Sequence, residues 1–146
     1  MNIIVSACLL GTPCRYDGKS KPCESVIALK ERHNLIPVCP EVLGGLEIPR
    51  TPCEIVGDKV ISKNGEDRTT EYQKGAEKAL EIALKNGCKY AVLKHKSPAC
   101  SPDGVYDGSF TGRLVDGMGV AARLLSQNKI KVLYEDELYL ISEDEL

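Results

Sequence analysis

The sequence predicts a small single α/β domain: an open, mostly parallel, Rossmann-like sheet with helices on its faces and one β-hairpin insertion. Three observations predict it. Short apolar runs alternate with amphipathic stretches that carry helix start and stop signals. Several of those runs lead into a loop with Gly or Pro and a cysteine. The 146 residues fit one domain, taken as 1–146, and 42% apolar with 27% charged residues is an ordinary globular composition.

The elements follow in order. Ile3-Ile4-Val5 is a buried strand, because Gly11, Pro13 and Gly18 leave no room for a helix after it. Pro22 marks the entry to a helix over Cys23–Arg32, and Asn34 its exit. Leu35-Ile36-Pro37-Val38 is a second strand, running directly into Cys39-Pro40-Glu41. Val42 to Pro52, with two glycines and two prolines, reads as a loop over the mouth of the sheet. Glu54–Val56 and Lys59–Ile61 form a hairpin around Gly57-Asp58, and Asn64-Gly65 makes a further turn. Thr69 or Thr70 caps a helix to Lys85, with Tyr72, Ala76, Ala79, Leu80, Ala83 and Leu84 on its apolar face. Asn86-Gly87 ends it.

Tyr90–Lys94 is the third core strand, followed by His95-Lys96-Ser97-Pro98-Ala99-Cys100. The stretch Ser101–Gly119 has five glycines and is too long for a plain connection, which suits a lid or binding loop. A helix over Val120–Asn128 leads to a last strand, Ile130–Tyr134. The tail from Glu135 to Leu146, with six acids and no base, reads as a solvated helix or frayed end without a specific role.

A formal charge of −2 argues against a broad electrostatic grip on nucleic acid and favours a small-molecule partner. No apolar run approaches a membrane span, and the start lacks the pattern of a signal peptide. The expected location is therefore cytoplasmic, where seven cysteines are unlikely to be disulfides. Cys23, Cys53 and Cys88 read as small core residues. Cys8, Cys39 and Cys100 differ, because each follows an apolar strand beside Gly or Pro on the same expected sheet edge. Converging thiols suit a soft metal centre. The paired knuckles of structural zinc sites are absent, and ligands on three loops suit an iron–sulfur cluster. Spacing leaves a cysteine-nucleophile enzyme and a zinc site open beside it. Cys14, six residues after Cys8, is a candidate fourth ligand.

The motifs Ser6-Ala7-Cys8-Leu9-Leu10-Gly11 with Arg15-Tyr16-Asp17-Gly18, Pro37-Val38-Cys39-Pro40-Glu41 with Gly44-Gly45-Leu46 and Pro49-Arg50, and Lys96-Ser97-Pro98-Ala99-Cys100 with Tyr106-Asp107-Gly108-Ser109-Phe110 resemble the thiouracil desulfidase family along almost the whole chain. The resemblance implies a 4Fe–4S cluster held by Cys8, Cys39 and Cys100 with one open iron. It also implies removal of sulfur from a thiolated base, nucleobase or nucleoside, without net redox chemistry, and release of sulfide. It places Glu41 and Ser97 in catalytic positions. Arg15, Arg50, Asp107 and Ser109 are the expected substrate contacts. It gives no ligand role to Cys14, where many relatives carry Val. Ala99 and Ser101 depart from the Ser and Gly that relatives commonly place beside the third cysteine. Two other classes stand against this one: a non-catalytic iron–sulfur or zinc module, and an enzyme that forms a persulfide on Cys14 or Cys100.

Overall fold

A computed structural model describes residues 1–141. Strand β1 (Asn2–Ser6) is followed by a 3-10 turn over Ala7–Leu10, helix α1 (Glu24–Ile27) and a 3-10 turn over Ala28–Glu31. Then come β2 (Asn34–Val38), α2 (Pro40–Leu43), the hairpin β3 (Cys53–Val56) and β4 (Lys59–Ser62), and α3 (Thr69–Lys85). The chain continues through β5 (Tyr90–Val92), β6 (Val105–Tyr106), β7 (Leu114–Val115), α4 (Val120–Gln127), β8 (Lys131–Leu133) and a 3-10 turn over Leu138–Leu140.

β1, β2, β5 and β8 form the expected parallel sheet in the order β2-β1-β5-β8. Ile3, Ile4 and Val5 are fully buried, as a strand covered on both faces requires. Their side chains alternate between two cores. Ile4 and Ala91 face α3 and α4, with Ala79, Ala83, Ala122 and Leu125. Ile3, Val5, Tyr90 and Val92 face Val26 of α1 and the turn after β1.

Three local expectations change. Val42 and Leu43, expected at the start of the loop, belong instead to the short helix α2, because Pro40 suits its first position and Gly44 follows it. The residue before α3 is Arg68, and the Thr69 amide donates to Asp67 Oδ1 at 2.9 Å, so neither threonine is the cap. Thr69 Oγ1 instead accepts the Val60 amide at 2.9 Å. Leu84 is 58% exposed and lies off the buried face of α3. Within the long 101–119 stretch, Val105–Tyr106 and Leu114–Val115 pair as the antiparallel β6–β7.

The tail expectation falls partly on residues 142–146, outside the described residues. Its first part is engaged: Glu135 accepts the His95 amide at 2.9 Å and pairs with Lys94 at 3.3 Å. Among the described residues no helix is long and apolar enough to cross a membrane.

Candidate active site

Parallel pairing puts the C-terminal ends of β1, β2 and β5 on one edge. The order β2-β1-β5-β8 places a topological switch point between β1 and β5, where open α/β sheets form ligand crevices. Cys8 follows β1, Cys39 follows β2 at once, and Cys100 follows β5 across the turn 93–99. All three line one cavity of about 530 Å³, together with Cys14, Glu41 and Ser97. Among the described residues no three His, Cys, Asp or Glu side chains are grouped as ligands of a single metal ion.

Each cysteine is set by its loop. Gly11, at φ 101°, ends the turn carrying Cys8 by donating to the Cys8 carbonyl at 3.3 Å. Cys39 immediately precedes α2, while its thiol lies 3.7 Å from the Cys14 carbonyl. Ser97 Oγ accepts the amides of Ala99 and Cys100, both at 3.1 Å, and so folds the turn that presents Cys100. Ser101, fully buried, accepts the Lys96 amide at 3.1 Å and donates to the Gly104 carbonyl at 2.8 Å. That hydroxyl closes the next turn, a role glycine could not fill. Lys96 there adopts φ 71°, left-handed for a non-glycine residue.

The surroundings of Cys14, Cys39 and Cys100 favour the protonated thiol. Contact with Cys14 and burial push Cys39 far up. Burial pushes Cys100 up to about 12, with the Ser6 and Ser97 hydroxyls opposing it. The Cys39 contact pulls Cys14 down, but the Cys8 contact and burial leave it raised. A cysteine nucleophile needs the opposite, a lowered pKa, and a metal bound here would have to displace these protons.

Glu41 is the carboxylate that α2 directs into the cavity, and both its oxygens are held. Arg50 Nη2 meets Oε2 at 2.6 Å, with both side chains largely buried. The Tyr72 hydroxyl donates to Oε1. Burial and the adjacent Glu41 keep the Tyr72 hydroxyl protonated well above its usual range. Close helix crossing makes this possible. A Cβ on Gly44 would sit 1.9 Å from the Glu71 carbonyl oxygen, and one on Gly75 1.8 Å from that of Pro40.

The expected substrate contacts divide. Arg15 lines the cavity and lies 3.9 Å from Asp17. Arg50 does not line it; beyond Glu41, it donates to the carbonyls of Cys14 and Glu47, both at 2.9 Å. Asp107 and Ser109 also lie outside the wall, bonded to each other at the tip of the β6–β7 hairpin. Their neighbours Tyr106 and Phe110 line the cavity, and Glu54 holds that tip by accepting the amides of Gly108 at 2.9 Å and Phe110 at 3.2 Å.

A sequence-family model described as 2-thiouracil desulfurase matches residues 3–137. The chain belongs to that family. Another relative of this desulfurase chain is protein YbbK of Bacillus subtilis (strain 168), 38% identical over 146 residues, spanning 93% of this chain and 97% of the relative. A solved structure titled as a 4Fe-4S-dependent thiouracil desulfidase, TudS, superposes with a TM-score of 0.90 at 44% identity, covering 94% of this chain and 93% of its own. Family and neighbour are both named for cleaving a C–S bond, as the motifs implied.

Four residues of the desulfurase site escape a sequence scan. Tyr72 looks like one more apolar residue on a helix face, although a buried phenol always needs a partner for its hydroxyl. Cys53, read as core filler, borders the cavity, and its thiol contacts the Tyr72 hydroxyl. Ser6, 3% exposed, accepts the Lys94 amide at 2.9 Å and reaches Cys100. His95 stacks on Tyr134 with ring centroids 4.6 Å apart and lines the cavity.

Proposed function

We propose that this desulfurase-family chain replaces the sulfur of a 2-thiouracil-like base with oxygen, consuming water and releasing sulfide, and that a 4Fe–4S cluster held by Cys8, Cys39 and Cys100 takes part. The observation that carries this is the convergence of those three thiols and Glu41 on one 530 Å³ cavity. The donor set fits the group: thiolates from three separate loops around a volume suit a cluster, and soft sulfur donors select one. When bound, the cluster supplies a soft Lewis-acidic iron matched to a thiocarbonyl sulfur.

The remaining work falls to side chains. Glu41 takes the proton of the attacking water. Arg50 and Tyr72 fix both its oxygens, so the carboxylate stays oriented toward the cavity. Both free lone pairs of Ser97 Oγ face amides, which leaves its single O–H to donate toward Cys100 or the reacting base. Arg15 meets a polar edge of the base, while Tyr16, Pro98, Tyr106 and Phe110 form walls that limit water. Arg50 acts as a positioning residue, and Asp107 with Ser109 shapes the hairpin tip that presents Phe110. A small thiolated base or nucleoside suits the cavity size better than a nucleic acid.

Anaerobic reconstitution with iron and sulfide, followed by 2-thiouracil, tests the proposal. Uracil and sulfide should appear in equal amounts. A fully loaded protein that releases no sulfide from any of a panel of thiolated bases would overturn it. Glu41→Gln should keep the cluster's visible spectrum and lose activity about 10²–10⁴-fold.

A further inference from the structure

Among the described residues the cavity wall carries two carboxylates, Glu41 and Glu54. Both oxygens of Glu41 are held, by Arg50 and Tyr72. Glu54 differs. Its Oε1 accepts two backbone amides of the β6–β7 tip, from Gly108 at 2.9 Å and from Phe110 at 3.2 Å. Among the described residues its Oε2 has no hydrogen-bond partner, and no cationic side chain comes within ion-pair distance. Yet Glu54 is only 9% exposed.

The local chain puts it there. Glu54 pairs with Ile61 across the β3–β4 hairpin. The β6–β7 tip packs so closely on β3 that a Cβ on Gly108 would lie 2.9 Å from the Ile55 carbonyl oxygen. Phe110 holds φ 58°, left-handed for a non-glycine residue, at the point where Glu54 takes its amide. Tyr106 and Phe110, on either side of that tip, line the cavity with Glu54.

The competing explanation is a latch for the hairpin tip and nothing more. A latch needs one neutral acceptor, and Gln would supply it without taking a charge out of water. A carboxylate offers about four acceptor positions, and the two amides use only one of its oxygens. Ser97 Oγ, on the same wall, already accepts two amides. Glu54 thus keeps an acceptor at a buried wall, which is costly unless a donor on a ligand meets it.

We propose that Glu54 determines substrate specificity: Oε1 fixes the hairpin tip, and Oε2 accepts a ring N–H beside the thiocarbonyl. The substrate class is then a planar thiolactam with an N–H next to C=S, as on both sides of the thiocarbonyl in 2-thiouracil. This deepens the desulfuration reading above and rests on it. No bond to sulfur or oxygen changes at Glu54, and the water proton stays with Glu41.

The test compares reconstituted protein on 2-thiouracil and on 1,3-dimethyl-2-thiouracil, which lacks both ring N–H groups. Glu54→Gln keeps a side-chain carbonyl for the Gly108 and Phe110 amides but places an NH2 where Oε2 stood. It should lower kcat/KM for 2-thiouracil by about 10–100-fold, the loss of one hydrogen bond to a charged group, and leave the dimethyl base unaffected. Where the wild type does not turn the dimethyl base over, its inhibition constant against 2-thiouracil should be the same in wild type and variant. Equal losses on both bases reduce Glu54 to a latch and overturn the proposal, as do unchanged constants on both. If the glutamine variant does not load, Glu54→Asp against Glu54→Asn carries the comparison, and only the aspartate should favour 2-thiouracil over the dimethyl base. A loaded wild type that releases no sulfide from any thiolated base overturns the desulfuration reading itself.

Discussion

At Glu41, three side chains from three segments settle one orientation. The carboxylate side chain is 14% exposed and the Arg50 guanidinium 7%, so neither can trade its partner for water. Removing one member of a buried pair strands the other, at a cost of about 3–5 kcal/mol. Arg50→Ala should therefore lower the unfolding free energy by about that amount in urea titration, and Arg50→Ala with Glu41→Ala together should recover part of the loss. Tyr72→Phe removes one hydrogen bond to a charged group, worth about 1.5–3 kcal/mol, without leaving a charge unpaired. Its expected signature is a slower turnover with an unchanged cluster spectrum. An unchanged turnover would remove Tyr72 from the support of Glu41.

The crossing of α2 on α3 is the element-scale counterpart. Gly44 and Gly75 let two helix backbones touch, and any Cβ there meets a carbonyl oxygen below 2 Å. Gly75→Ala should part the helices, cost about 1–3 kcal/mol and reduce turnover by moving Glu41 away from Tyr72; denaturation and activity together check it. At the start of α3, the Thr69 hydroxyl and then its amide hold the Asp67 carboxyl below its ordinary value of 3.8. A lowered carboxyl pKa stabilises the fold above the unfolded value and loses that effect as pH falls through the lower folded one. The Tm difference between wild type and Asp67→Ala should thus be full near neutral pH and shrink below about 3.8. These details were the least legible in the sequence. A four-residue helix between Cys39 and Gly44-Gly45 makes barely one turn and so cannot repeat a period, and strands of two residues, such as β6 and β7, show no alternation. The long elements were legible because α3 repeats small apolar residues every three or four positions and β1 is continuously apolar.

Across the whole molecule, the sheet gathers distant residues. Parallel strands must all end on one edge, so three cysteines each following a strand could be grouped before any coordinate was known. That argument holds for Cys8, Cys39 and Cys100, which the fold brings to one cavity. It could not reach Cys14 or Tyr72, whose place depends on how a loop doubles back and on which helix crosses which. Nor could it show that Arg50, Asp107 and Ser109 turn to partners within the protein, since a polar residue in a loop gives no sign of its direction.

The central claim is that these strand-end cysteines hold a four-iron cluster. The most direct test is iron and acid-labile sulfide per chain after anaerobic reconstitution, in the wild type and in Cys8→Ala. The wild type should be brown with about four irons and four sulfides, and the variant should lose most of both. A colourless wild type carrying zinc, or a Cys8→Ala chain with the wild-type iron content, would contradict it.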